Sequence, residues 1–381
     1  MKIAIVSTDN REHFKTYDWR EPDIPTPQAA LLDGFAGLPD IEVHIISCLQ
    51  QPVLSPEKLA DNIWFHSLHV PKTGWMRTLY QGCVRAVRKK LKEIQPDIVH
   101  GQGTERDAGM CAVLSGFPNV VTLHGIMREQ ARLSNARPGS FYWLATLLES
   151  FVLRRTAGVF CNSEYTESVV RPRSRRTWRV PNAVRQAFFD EPVRCSPSGD
   201  PILLNVGLVC PRKRQNELVA VARELNQDGA KFKIHFLGMA TREKPYGAQF
   251  LDSVEQNRAF LSFPGFKPTG ELIQSFDAAS ALVHVPSEES FGLVVAEALA
   301  RNLKFFGFKV GGVADIVQDV DGAELVADGD WRGLKNAIKS WLQAGAPRLE
   351  SARAVMRKKY HPEVVAARHM EIYREVLSKR S

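Results

Sequence analysis

No run in this 381-residue chain approaches the roughly 18 to 20 apolar residues that a membrane-spanning helix needs. Its opening, "MKIAIVSTDNREHFK", reads as a short strand rather than the hydrophobic region of a secretion signal. The expected location is therefore the cytoplasm, with peripheral contact at the inner face of a membrane as the variant. Cysteine is sparse and scattered, at 48, 83, 111, 161, 195 and 210, with no CxxC pair and no clustered histidine partners. Neither a zinc site nor a disulfide framework is indicated, and buried reduced thiols are expected. There is no GxxxxGK[ST] loop, and "GQG" at 101–103 lacks the third glycine of a dinucleotide fingerprint. Both absences argue against a P-loop NTPase and a dehydrogenase. No repeat of solenoid period and no low-complexity tract occurs.

What the chain does have is length and apolar content. At 381 residues it exceeds one ordinary core and suits two domains. With 44% hydrophobic and 24% charged residues it reads as globular. Fifty Lys and Arg against 42 Asp and Glu give +8, a balance that favours anionic partners such as phosphates, acidic membrane surfaces or nucleic acid. Much of the excess is local: "VRPRSRRTWR" holds Arg171, Arg173, Arg175, Arg176 and Arg179. In "RTLYQGCVRAVRKKLKEIQPD" a helical projection puts Cys83, Val84, Val87, Leu91 and Ile94 on one side. Arg77, Arg85, Arg88 and Lys92 fall on the other, either as a solvated face or as one that rests on acidic lipid. With no recognised module and no platform of alternating aromatic and basic residues, no nucleic-acid partner is expected.

Strand-like runs alternate with helical stretches throughout: "KIAIVS", "VHIIS", "DIVHG", "NVVTLHG" and "GVFCNS", then "PILLNVG", "FKIHFLG", "FLSFPG", "ALVHVPS" and "KFFGF". Their apolar residues are continuous rather than alternating, which indicates strands buried on both faces of parallel sheets. The expected class is α/β, two doubly wound domains, 1–190 and 191–362. The junction falls in the polar, proline-bearing stretch 190–204. In such sheets ligands bind beyond the carboxyl ends of the strands, so the chemistry belongs in strand-to-helix loops and in a cleft between the domains.

The stretch "VPSEESFGLVVAEALARN" (285–302) carries Glu289 and Glu297, eight positions apart among small and apolar residues. "ALVHVPS" reads as a strand and "GLVVAEALARN" as a helix. If the intervening residues are helical, the two carboxylates stand about 12 Å apart with a rotation of about 80°. That span suits a sugar joined to a ribose through a diphosphate. Carboxylates accept two hydrogen bonds at once, which fits vicinal hydroxyls. Between them, the backbone N–H groups around Ser290, Phe291, Gly292 and Leu293 open a helix, where an anion is favoured. Taken singly, Glu289 reads as a capping acid and Glu297 as an exposed helical position.

Together with "PSEESFGLVVAEALA" these glutamates resemble the E-x7-E signature of the retaining GT-B glycosyltransferases of glycosyltransferase family four (glycosyl transferases group 1). "LLNVGLVCPRKRQNELV" (203–219), "KIHFLGMA", "FLSFPGFKP", "FDAASALVHVPS" and "FKVGGVADIV" follow in the family's order. In the first half "DIVHGQG", "TLHG", "CNSEYT" and "VPNAV" match in type and order. The resemblance implies a GT-B fold, two facing Rossmann-like domains with an interdomain cleft, acceptor in the first and nucleotide-sugar donor in the second. It implies catalytic roles for Glu289 against the donor sugar, Lys213 against the diphosphate and His124 in the sugar pocket. Glu297 would hold the ribose, Gly265, Phe266 and Lys267 would face the nucleobase, and Gly207 and Arg212 would border the diphosphate. It further implies that helix 363–381 crosses back to the first domain; "HPEVVAARHMEIYREVLSKR" has a helical pattern in Val364, Val365, His369, Ile372, Tyr373 and Val376.

The chain also departs from the family. Leu208 stands where many members carry an arginine after the strand glycine, which leaves the diphosphate to Lys213 and Arg212. The usual glycine-rich loop is replaced by residues 7–28, long enough either to bind acceptor or to be disordered. Asp315 stands where glutamate is usual in "GGVADI". "DGD" (328–330) resembles a metal-binding DxD but precedes "WRGLKNAIKSWL", so Asp330 is read as a helix cap. No cofactor and no metal are expected, only a UDP-, GDP- or ADP-sugar as substrate. The partners expected are that donor, a glycan or lipid-linked acceptor, and an acidic membrane surface. "WFHSLHVPKTGWMRTLY" (64–80), with Lys72, Trp75, Met76 and Arg77, is a candidate acceptor surface, or else an ordinary helix-entry loop. The implied activity is metal-independent retaining transfer to an acceptor hydroxyl. The alternatives are a catalytically silent nucleotide-sugar or anionic-glycan binding protein, and a nucleotide-sugar epimerase.

Overall fold

The computed structural model describes residues 1–194 and 199–379; Cys195, one of the expected buried thiols, lies outside the described residues. The chain divides into two compact units, Met1–Arg185 with Pro362–Ser381, and Gln186–His361. The division thus falls a few residues before the expected 190. Phe188 packs against Phe276 (5.8 Å, rings tilted by 51°), and the buried Arg301 guanidinium donates to the carbonyls of Phe188 (3.2 Å) and Glu191 (2.6 Å). Those contacts hold residues 188–191 in the second unit.

In the first unit, eight strands among the described residues form one sheet: β1 (Lys2–Val6), β2 (Glu42–Leu49), β3 (Lys58–Ala60), β4 (Ile63–His69), β5 (Ile98–Gln102), β6 (Asn119–Leu123), β7 (Val159–Cys161) and β8 (Thr177–Arg179), in the order β3-β4-β2-β1-β5-β6-β7-β8. All pairings are parallel except β3 with β4. β5 and β6 are buried at every position, as continuous apolar strands under helices on both faces must be. Helix Gln81–Ile94 buries Cys83, Val84, Val87, Leu91 and Ile94 and exposes Arg85, Arg88 and Lys92. Arg77 is not on that face: it sits in a separate 3₁₀ turn, Met76–Thr78.

The polar segment after β1 is pinned. Asp9 caps helix Asn10–Phe14, and the fully buried Arg11 donates to Asp9 (2.7 Å) and to the carbonyls of Trp19, Arg20 and Leu54 (2.8, 3.1 and 3.2 Å). The last helix, Pro362–Ser378, packs on helix Thr26–Ala36 so closely that a Cβ at Gly34 would lie 2.3 Å from the Pro362 carbonyl oxygen. It is locked by a 2.5 Å hydrogen bond between Tyr373 and His100 of β5. The arginine-rich 171–179 segment is largely neutralised within this unit: Arg173 pairs with Glu149 (3.0 Å), Arg179 with Glu167 (3.2 Å), and Arg176 with Glu375.

The second unit carries β9 (Ile202–Val206), β10 (Lys233–Leu237), β11 (Leu261–Gly265), β12 (Ala281–His284), β13 (Lys304–Phe308) and β14 (Glu324–Val326), all parallel, in the order β11-β10-β9-β12-β13-β14. The chain winds outward from β9 to β11, then restarts at β12 and winds the other way. β9 and β12 are therefore adjacent strands whose connections diverge, which opens a crevice beyond their carboxyl ends. Among the described residues, no helix is long and apolar enough to cross a membrane.

Candidate active site

The two loops at that crevice are 207–214 after β9 and 285–292 after β12, and they are tied to each other. The Ser287 N–H donates to the Arg212 carbonyl (2.8 Å), and Arg212 Nη1 returns a bond to the Glu288 carbonyl (3.0 Å). Lys213 ends the 3₁₀ turn Pro211–Lys213, and Arg214, in the left-handed region at φ 55°, redirects the chain into helix Gln215–Gln227. This brings Lys213 Nζ to 2.5 Å from Glu289 Oε2; His284 Nε2, from the end of β12, lies 3.2 Å from the same oxygen. Burial alone would push the Glu289 carboxyl up. The Lys213 charge and the His284 hydrogen bond overcome it and hold Glu289 well below the usual carboxylate range. Burial and the Lys213 charge together push His284 down. Burial also raises Glu288, against the opposing charge of Arg212. The pair of adjacent glutamates is thus split into one held charged and one biased toward its neutral form.

Glu297 is buried in helix Leu293–Ala300, but the residues between it and Glu289 are not helical up to Gly292. The 12 Å and 80° expected for a continuous helix therefore do not apply. Gly292, at φ 99°, turns the chain into the helix, a geometry that favours glycine. Ser290 and Phe291 are buried, and the Phe291 ring packs edge-on against Tyr360 (5.6 Å), so its side chain belongs to the core and only its backbone is left for a ligand. The Gly311–Gly312 turn leans on Glu289: the Gly312 N–H donates to the Glu289 carbonyl (3.0 Å), and a Cβ on Gly311 would fall 1.8 Å from that oxygen. At the neighbouring strand ends Gly207, Gly238 and Gly265 stack backbone to backbone, with Gly207 N–H to Leu237 O at 2.8 Å and Gly238 N–H to Gly265 O at 3.0 Å. Beyond that floor Phe266 is 67% exposed and Lys267 pairs with Glu271 (2.8 Å). Leu208 is exposed.

His124 stands in the first unit, just past β6. The Gln102 side-chain oxygen lies 2.9 Å from its Nε2, and the Gln28 side-chain nitrogen lies 3.5 Å from the same atom. Nδ1 is buried and has no hydrogen-bond partner among the described residues. Burial pushes this imidazole down to about 4, so it is neutral near pH 7. Next to it, Glu105 accepts from the Gly125 N–H (2.9 Å), and burial pushes its carboxyl up to about 7.

Glu105, His284 and Glu288 were not singled out from sequence. His284 reads as an apolar-strand residue, and only the position of its neighbours in space reveals it. The acids of "DGD" are both engaged: Asp330 caps helix Trp331–Gln343 through Gly333 N–H (2.8 Å), and Asp328 pairs with Arg214 (2.5 Å). Cys48, Cys83 and Asp107 place ligand atoms within 4.8 Å of one another, a cluster that spacing could not show because it joins three separate elements. All three are buried, and the hydrogen bond to Cys83 together with burial raises the Cys48 thiol well above its ordinary value. The described cysteines form no disulfide.

Two family models cover most of the chain. Glycosyltransferase Family 4 matches residues 31–187, and Glycosyl transferases group 1 matches residues 189–359. The chain is 25% identical over 351 residues to 2-deoxystreptamine glucosyltransferase of Streptomyces kanamyceticus, covering 86% of this chain and 88% of that one. Among solved structures, sucrose-phosphate synthase from Thermosynechococcus elongatus superposes with a TM-score of 0.80 at 19% identity over the whole of both chains. HepE of Anabaena in complex with UDP-glucose does so with a TM-score of 0.72 at 16% identity over 98% of this chain and 100% of that one. At those identities the likeness is one of fold: a two-domain, Rossmann-like GT-B architecture.

Proposed function

The chain belongs to the group 1 glycosyltransferases, and from that premise we propose that it transfers a sugar from a nucleoside diphosphate sugar to an acceptor hydroxyl with retention and without a metal ion. The products would be glycans, polysaccharides or glycolipids. The observation that carries this reading is the cluster of Lys213, Glu289 and His284 at the β9/β12 crevice, built on two loops that hold each other.

In this reaction the bond from the anomeric carbon to the diphosphate oxygen breaks, and a bond to the acceptor oxygen forms on the same face of the sugar. The departing phosphate takes the acceptor's proton. Negative charge grows on the diphosphate, so an ammonium already fixed there, Lys213, stabilises the transition state without reorganisation. The backbone N–H groups at 290–293 and Arg212 share that role. Glu289, held charged, accepts from hydroxyls of the donor sugar, and Glu297 from those of the ribose. The exposed Phe266 and the backbone at Gly265 and Lys267 take the nucleobase. The neutral His124 offers its unpartnered Nδ1 to a sugar hydroxyl.

HepE was solved with UDP-glucose, which makes a uridine diphosphate sugar the first donor to try. The test is calorimetric titration of the protein with UDP, GDP and ADP, repeated on Glu297→Ala and Lys213→Ala. One nucleotide should bind, and both variants should weaken it tenfold or more, about 1.4 kcal/mol. If the variants bind like the parent, the site is elsewhere. Binding without nucleotide release in the presence of any acceptor would mark a silent binding protein instead.

A further inference from the structure

A second cavity, of about 210 Å³, lies within the first unit, on segments that follow β2, β4 and β5 and against Phe141, the first residue of helix Phe141–Arg155. This is the carboxyl edge of the sheet, where open α/β sheets take their ligands. Lys72, Arg77 and Arg106 line it together with Trp75, Tyr80 and Phe141, and no carboxylate is among the lining residues. None of the three cations has an ion-pair partner among the described residues, in contrast to the paired arginines at 173, 176 and 179. Arg106 Nη1 is sealed from solvent with no hydrogen-bond partner among the described residues. An anion in the cavity would meet the charge of Arg106, beside the buried Asp107 on which it already acts, together with those of Lys72 and Arg77.

The backbone at the same rim is strained. Leu79 and Tyr80 both lie in the left-handed region, at φ 51° and 62°, a conformation costly for non-glycine residues and concentrated at functional sites. Helix Gln81–Ile94 starts directly after them with no side chain capping its first N–H groups. Its positive end therefore adds to the field of the three cations.

We propose that this pocket seats a phosphate group carried by the acceptor. Three permanent cations around one cavity match a phosphate, with about −1.5 to −2 charges and three acceptor oxygens, better than a singly charged carboxylate. The rings of Trp75, Tyr80 and Phe141 bound the remainder of the cavity, next to which an apolar or sugar moiety packs. Tyr142, Trp143 and Leu147 continue an exposed apolar patch from Phe141 along helix Phe141–Arg155. The phosphate can thus arrive on a soluble sugar phosphate or on a lipid. The assignment to an acceptor rests on the glycosyltransferase reading above.

The test is titration of the full chain with glucose 6-phosphate and with glucose, in the parent and in Arg77→Gln, Lys72→Gln and Lys213→Ala. Glucose 6-phosphate should bind the parent and Lys213→Ala alike and glucose should not bind. Arg77→Gln and Lys72→Gln, exposed positions that leave the fold intact by thermal melting, should each weaken binding at least tenfold. Phosphatidylcholine vesicles with and without phosphatidic acid provide the second arm. Capture by phosphatidic acid that Arg77→Gln abolishes, with no binding of the sugar phosphate, assigns the same site to a lipid-borne phosphate. The pocket assignment is overturned if Arg77→Gln and Lys72→Gln bind as the parent does, or if neither phosphate source binds. Nucleotide titration of Arg77→Gln separates the two readings. Nucleotide binding with no phosphate binding removes the pocket alone. Phosphate binding with no nucleotide binding removes its role as an acceptor site.

Discussion

Lys213 Nζ and Glu289 Oε2 stand 2.5 Å apart although 76 residues separate them in sequence. The two loops that carry them meet only because β9 and β12 are neighbours in the sheet. An ammonium fixed by a carboxylate is positioned before the substrate arrives, and its effect should appear mainly in the chemical step. Lys213→Ala should lower kcat by about 10² to 10³, in the range measured for loss of a preorganised charge-stabilising donor. Lys213→Arg should recover only part, because a planar fork does not replace a point charge. Steady-state transfer assays on both variants check this; equal kcat in parent and Lys213→Ala would remove Lys213 from the mechanism.

The depressed Glu289 carboxyl sets a pH signature. Its folded value lies below its unfolded value, so the stabilisation it contributes is complete above the ordinary carboxylate range and is lost as pH falls through and below that range. Urea unfolding of parent and Glu289→Gln should therefore differ by a constant amount from about pH 6 to 8, and the difference should begin to narrow only below about pH 4 and go on narrowing as pH falls further. A difference that grew on acidification would show that Lys213 and His284 do not hold the charge.

Glu105 has the opposite sign. Burial raises its carboxyl to about 7, above the unfolded value, so the folded state binds the extra proton between the two. Its contribution to stability is greatest below about pH 4 and declines as pH rises to 7. Glu105→Gln keeps an acceptor for the Gly125 N–H and removes the cost of charging. It should be more stable than the parent at pH 8, by on the order of 3 kcal/mol, and nearly equal at pH 4.

Ten of the fourteen described strands were legible because buried parallel strands carry continuous β-branched runs, and "ALVHVPS" or "NVVTLHG" could be little else; β3, β4, β8 and β14, at or next to the sheet edges, were not. The resemblance pointed to Glu289 and Lys213, which the structure brings together. What pairs with what was not legible. His284 and Glu288 are hidden in a strand and a loop whose chemistry depends on Lys213 and Arg212, far away in the chain. The segment 7–28 reads as polar and long, yet the single buried Arg11 organises it through carbonyls that no pattern marks as acceptors. Arg77 projects onto a helix face on paper. The left-handed Leu79 and Tyr80, with no glycine or asparagine to signal them, start the helix later and leave Arg77 beside a cavity instead.

Gly311 offers a test of the loop geometry. It has φ 52°, and its added Cβ would meet the Glu289 carbonyl oxygen at 1.8 Å. Gly311→Ala should displace the Glu289 loop, lower activity at least tenfold and weaken nucleotide binding. Gly270, in helix Thr269–Ala278, has nothing within 4 Å of its added Cβ. Gly270→Ala should leave activity unchanged and stabilise by about 0.4–1 kcal/mol through the unfolded chain. Melting curves and turnover of the two variants measured together separate a local steric effect from a general intolerance of glycine substitution.

The bond between Tyr373 and His100 predicts how much the last helix depends on one hydroxyl. His100 is fully buried, with Nδ1 on Tyr373 and Nε2 on Thr122 Oγ1 at 2.7 Å. Tyr373→Phe keeps the ring that packs against Phe160 and Phe35 but strands His100 Nδ1 away from water. An unmatched buried polar atom costs about 1–3 kcal/mol, more than the net worth of the hydrogen bond itself. Replacing both partners, in the double variant His100→Phe with Tyr373→Phe, removes the stranded atom as well as the bond. Its loss of stability should therefore fall short of the sum of the two single losses, by an amount a double-mutant cycle in urea reads directly. Additive losses would mean that the hydroxyl and the imidazole do not act as a pair, and that packing alone holds the helix in place.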